Sequence, residues 1–140
     1  LTDVLGDGTL STFGREYGFD GKPLQRTFEF QTIGISMNDA VHLLKLPQPA
    51  YIKMDVDGLE HVIIDRGASV LEGVQGVSIE INDTFKQQAT ESARQLERSG
   101  LRFVHKKHSR MFESRTSPFA QTYNQVWARP ADQTIGTGSL

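Results

Sequence analysis

The chain has 140 residues, of which 37% are apolar and 23% charged, and its net charge is -2. That balance suits a globular domain with a real core and excludes wholesale disorder. It supplies no large basic field, so neither nucleic acid nor a membrane surface is an expected partner. The absence of cysteine excludes disulfides and thiolate metal sites and fits a cytoplasmic setting.

No apolar run reaches the roughly 18 residues of a membrane span. The opening "LTDVLGDGTL" lacks the charged and apolar regions of a signal peptide. "LGDGTLSTF" joins a Gly-Asp-Gly turn signal to a short strand, and "GREYGFDGKP" reads as a loop. Alternation around Phe28, Phe30, Ile33 and Ile35 predicts a strand over "RTFEFQTIGI". Ser36 and Asp39 form a capping-box pattern. Met37, Ala40, Val41 and Leu44 then recur at helical spacing until Pro47 and Pro49.

"AYIKMDV" predicts a strand, and "LEHVIIDRG" a helix with Leu59, Val62 and Ile63 on one face. "VSIEIN" predicts a second strand. Asn82, Asp83 and Thr84 are capping residues for a helix over "FKQQATESARQLERSG". Its expected inner stripe is Phe85, Ala89, Ala93 and Leu96, with a stop at Gly100. "LRFVHKK" and "TYNQVWARP" predict two further strands joined by the polar loop "HSRMFESRTSPFAQ". Trp127 is expected in the core, and residues 130–140 are expected to form a loose tail.

Strand, helix and strand between Tyr51 and Val77 predict a parallel pair. The last two strands lack a crossover helix, which predicts antiparallel pairing. The expected fold is therefore α/β, with parallel central strands and an antiparallel C-terminal strand pair at the sheet edge. Ligands of such sheets sit beyond the carboxyl ends of the parallel strands. Asp55, Asp57, Asn82 and Asp83 fall there.

The stretch "IKMDVDGLEH" crowds Asp55, Asp57 and Glu60 around Gly58. Strand alternation puts Lys53, Asp55 and Asp57 on one side, and Ser78, Glu80 and Asn82 share one side of the next strand. Lys53 is expected to pair with Glu80 as an internal ion pair. Asp57 or Gly58 could cap the following helix, with Glu60 favourable in its first turn. The chemical alternatives are a carboxylate that accepts a proton from a substrate hydroxyl, or Mg²⁺ or Ca²⁺ held by Asp55 or Asp57 with Asn82 and Asp83. An EF-hand is excluded, because Arg66 stands where its bidentate Glu belongs. The four histidines show no metal-binding spacing. Ser109 and Ser117 lack a nucleophile elbow, and "HKKHSR" reads as a solvated basic edge.

"YIKMDVDGLEHVIIDRGASVL", followed by "VSIEIND" and "GLRFV", resembles the FkbM family of S-adenosylmethionine-dependent methyltransferases. The match rests on Ile52, Lys53, Asp55, Asp57, Gly58, Glu60 and Gly67 in an I-K-x-D-x-[DE]-G-x-E segment, and on Glu80 in the next strand. "TIGISMNDAVHLL" and "LTDVLGDGTLSTF" resemble the flanking segments, so the likeness covers residues 1–129. It implies the C-terminal part of a class I, Rossmann-like methyltransferase domain. No glycine-rich turn after a first strand and no acidic residue after a second is matched, so the first three core strands are expected to be missing.

The resemblance implies methyl transfer from S-adenosylmethionine to a hydroxyl of a small molecule or sugar. Asp55 would then be the methyl-proximal carboxylate, with Asp57 and Glu60 shaping the substrate pocket. Cofactor contacts would come from Asp55, Val56, Asp57, Thr2 and Asp3. Gly58, His61, Asn82 and Asp83 would face the acceptor, with a divalent metal left open. Two other readings fit the residues: a truncated, non-catalytic methyltransferase-like binding module, and a Mg²⁺-dependent phosphoryl-transfer enzyme using Asp55 and Asp57.

Overall fold

A computed structural model describes residues 12–24, 29–108 and 119–131. The elements expected in residues 1–11, in the 109–118 loop and in most of the 130–140 tail lie outside them. The chain forms a small α/β unit around a mixed four-stranded sheet. Its elements are α1 (Met37–His42), β1 (Tyr51–Met54), α2 (Glu60–Asp65), α3 (Ala68–Leu71), β2 (Gly76–Asn82), α4 (Lys86–Arg98), β3 (Arg102–His108) and β4 (Thr122–Ala128). The sheet order is β1-β2-β4-β3.

β1 and β2 run parallel, with Lys53 level with Ser78 and Met54 with Ile79. β4 is antiparallel to both of its neighbours, β2 and β3. The expected antiparallel pairing of the last two strands is present, but the antiparallel strand does not form the edge. It slots between β2 and β3, and β3 becomes the edge, running in the same direction as β1 and β2. The wholly exposed run from Arg102 to Lys107 follows from that position. Its charged residues also discourage edge-to-edge pairing with other chains.

Alternation sets the two faces of the sheet. Val77, Ile79 and Ile81 of β2 join Met54, Ile64, Leu71, Leu96, Leu101 and Trp127 in one core. Burying a side chain of that size contributes roughly 1.5–3 kcal/mol, so this cluster dominates the stability of the unit. Trp127 lies there as the sequence predicts, edge-on to Phe103. Ser78 and Glu80 point to the opposite face, where they are only half buried.

The expected stripe of α4 is present: Phe85 and Leu96 are buried and Ala89 and Ala93 pack against the core, with Gln88 and Ser92 buried beside them. α4 begins at Lys86 with Phe85 at its N-cap, one residue beyond the predicted capping stretch. Asn82 Oδ1 instead accepts the Thr84 N–H (3.0 Å) and hydroxyl (2.7 Å), closing a turn before the helix. In α2 the buried residues are Glu60, His61 and Ile64, not the expected face of Leu59, Val62 and Ile63. Ser36 caps α1 as expected, its Oγ accepting the Asp39 N–H at 3.0 Å.

Residues 29–35 form no strand. Phe30 and Ile33 alternate in sequence but remain 70% and 96% exposed, because no described neighbour offers a ladder. The segment from Tyr17 to Pro23 makes a tight turn, with the Gly18 N–H donating to Lys22 O and the Leu24 N–H to Glu16 O. This turn packs over the start of α2.

Candidate functional site

The carboxyl end of β1 turns through Asp57 and Gly58, both with positive φ (54° and 100°). Gly58 is required there. A Cβ would lie 2.9 Å from Phe19 Cα and 3.0 Å from Gly18 O, so the 17–23 turn rests on the bare glycine backbone.

Glu60 locks this loop from below. It is 1% exposed, and its carboxylate accepts the Val56 and Gly58 N–H groups, each at 3.0 Å. Gln88 Nε2 donates to the same carboxylate, while Gln88 Oε1 accepts the Asn82 N–H at 2.9 Å. One carboxylate and one amide therefore tie the ends of β1 and β2 to α4. Burial pushes the Glu60 carboxyl up, and these hydrogen bonds pull against that shift.

Lys53 does not pair with Glu80. Its Nζ lies 2.6 Å from Asp55 Oδ2, since Lys53 is level with Ser78 and Asp55 is its neighbour on the same strand face. Continuing the register brings Asp55 level with Glu80, so two acidic side chains stand side by side on one face of the sheet. Burial, then the Asp55 carboxyl, then Glu60 and Asp57, push Glu80 up to about 7.

Beside Glu80 opens a shallow cleft with room for about one water molecule, lined by Phe19, Asp57, Gly58, Glu80, Asn82 and Thr122, with Glu60 and Gln88 also reaching its wall. It lies at the carboxyl ends of β1 and β2, where α/β sheets bind ligands. Asp55 is not among the lining residues. Thr122 is buried at the start of β4, level with Asn82. Its Oγ1 finds no hydrogen-bond partner among the described residues.

Of the residues expected at the site, Asp57, Gly58, Glu60 and Asn82 meet around the cleft. Val56 contributes its N–H to Glu60 and its side chain to the core. His61 turns away. It is buried, with Nε2 3.3 Å from the Tyr17 hydroxyl and its ring edge-on to Phe85. Burial and then the nearby Arg15 charge lower its pKa. Asp83 pairs with Lys106 at 2.6 Å. Thr2 and Asp3 lie outside the described residues.

Gln88, Thr122 and Phe19 were absent from the sequence-based set. Gln88 carried a weak signal, since it shares a four-residue spacing with Ser92 and Leu96. Thr122 carried none, because its place depends on β4 entering beside β2. Among the described residues, no group of three or more His, Asp or Glu is arranged to hold a metal ion, and no helix is long and apolar enough to cross a membrane. The chain matches no family model, no curated protein and no solved structure.

Proposed function

We propose that this chain carries the acceptor side of an S-adenosylmethionine-dependent O-methyltransferase, as a partial Rossmann-like sheet of the FkbM kind. The supporting observation is the cleft at the carboxyl ends of β1 and β2, walled by Asp57 and Glu80. It sits on the loop formed by the I-K-x-D-x-D-G-x-E segment. An alcohol is a poor nucleophile at neutral pH and needs a positioned base. A carboxylate with a raised proton affinity meets that need better than an ordinary one.

The donor set fits one end of the cofactor. Carboxylates suit a sulfonium cation, and the rigid Asp55–Gly58 loop suits close approach of a small charged group. When bound, the cofactor supplies an electrophilic methyl group. The chain's own residues hold the acceptor oxygen, take its proton and narrow the access of water through Phe19. A small hydroxylated molecule or sugar in the cytoplasm is the proposed substrate.

Calorimetric titration with S-adenosylhomocysteine tests this reading, using the chain alone and the chain carried in its natural reading frame. Saturable heat from the natural-frame protein is the expected outcome. Absence of binding by both would remove the methyltransferase assignment.

A further inference from the structure

With the 17–23 turn in place, the cleft beside Glu80 has room for about one water molecule. Phe19 is the wall residue that the turn supplies, and its backbone rests on Gly58. A larger ligand therefore needs this turn to move. Among the described residues the backbone bonds of the turn stay within it, from Gly18 N–H to Lys22 O, Gly21 N–H to Gly18 O and Leu24 N–H to Glu16 O. It can lift as one piece.

Tyr17 fastens the turn to the helices. Its hydroxyl lies 3.3 Å from His61 Nε2 on α2. The Tyr17 and His61 rings both meet Phe85 edge-on. Gly21 closes against the same Phe85 ring, where a Cβ would lie 2.6 Å from Cδ2. His61 is 6% exposed, and its Nδ1 is enclosed without a hydrogen-bond partner among the described residues. A neutral imidazole tolerates this arrangement, with Nδ1 bare and Nε2–H donating to the Tyr17 oxygen. An imidazolium does not, because both nitrogens are then donors and the one at Nδ1 meets no acceptor.

We propose that Tyr17 and His61 form an acid-released latch: the neutral ring holds the 17–23 turn over Gly58, and protonation of His61 frees the turn and withdraws Phe19 from the cleft. The cation is accommodated only when water reaches Nδ1, which means parting Tyr17 and Phe85 from the ring. The charged and titratable groups facing the ring are Arg15 and Tyr17 beside the turn and Glu91 of α4, with Glu60 next to it on α2. Burial and then Arg15 oppose the cation, and Glu91 partly favours it. Glu60 is committed to Val56, Gly58 and Gln88.

Because the docked ring has its pKa lowered from 6.5, docking is fully favoured above that value and weakens as the pH falls below it. Glu80 acts in the opposite sense, since its raised carboxyl strengthens the fold on acidification. Acid thus loosens the turn while the sheet tightens, which separates the latch from general unfolding. This device governs entry to the cleft and is independent of the reaction proposed above.

NMR spectroscopy of the chain tests the latch, starting at about pH 7.5 and going down until His61 has taken its proton. Proton contacts between Gly58 and Phe19 and between Gly21 and Phe85 report docking, and those between Val77 and Trp127 report the sheet. The first two are expected to vanish together with the His61 titration while the third persists. Arg15→Gln is expected to move both the release and the His61 titration to higher pH, and Glu91→Gln to lower pH. His61→Gln, which has no titrating ring, is expected to remove the pH dependence of the docking contacts.

Docking contacts that persist after His61 is protonated would overturn the latch, as would their loss in acid in His61→Gln. Release at an unchanged pH in both charge variants would do the same, and so would loss of the Val77–Trp127 contacts before His61 titrates.

Discussion

Gly58 shows how much of the loop depends on one missing side chain. Its φ of 100° and the Phe19 backbone above it both oppose a Cβ. Gly58→Ala is expected to cost about 2–4 kcal/mol by urea unfolding. It should also speed amide exchange at Gly18 and Gly21, because the turn must lift. Glu80 gives a second residue-scale expectation. Its carboxyl is raised from 4.5 to about 7, so between those pH values the folded chain holds a proton that the unfolded chain has released. Stability must therefore fall as pH rises through that window. Glu60, raised by burial, adds to the same slope. Glu80→Gln should remove part of the slope and raise the melting temperature above pH 7 by roughly 3 °C.

At the scale of elements, α4 serves the site as much as the core. Gln88 supplies Glu60 with a donor and the Asn82 N–H with an acceptor. Gln88→Leu conserves volume but strands both partners in a buried place. We expect a loss of about 2–4 kcal/mol in urea unfolding, with the Val56–Gly58 amides losing exchange protection first. The sequence showed β1, α2, β2 and α4 because alternation and helical spacing are local signals. It misjudged the inner face of α2 and missed the buried polar residues of α4, because apolar residues alone were taken to point inward. Glu60, His61, Gln88 and Ser92 are buried instead, satisfied or enclosed by partners far away in sequence. The Lys53–Glu80 pairing failed for a related reason. Strand facing was readable, but the register that sets Lys53 against Ser78 is fixed by the whole β1–β2 ladder.

At the scale of the whole molecule, Arg129 gathers the base of the unit. Its guanidinium donates to Val74 O (3.0 Å), Leu71 O (3.1 Å) and Ser99 O (3.0 Å), binding the ends of α3 and α4 to the end of β4. Arg129→Ala is expected to lower stability by about 2–4 kcal/mol, measured as a shift in the urea midpoint at unchanged slope. Nothing in "WARP" announced this role, since the three carbonyls come from two other segments.

The same dependence on late residues governs the sheet. β2 and β3 meet only through β4, the last of the described strands to be synthesised. Until residues 122–128 leave the ribosome, β3 has no ladder partner and one side of β2 stays open. Thr122 enters the cleft in that same step. The nascent chain thus cannot complete this cleft early: the act that closes the sheet also supplies its last wall, and a product arrested before β4 would carry the acidic loop with one side open.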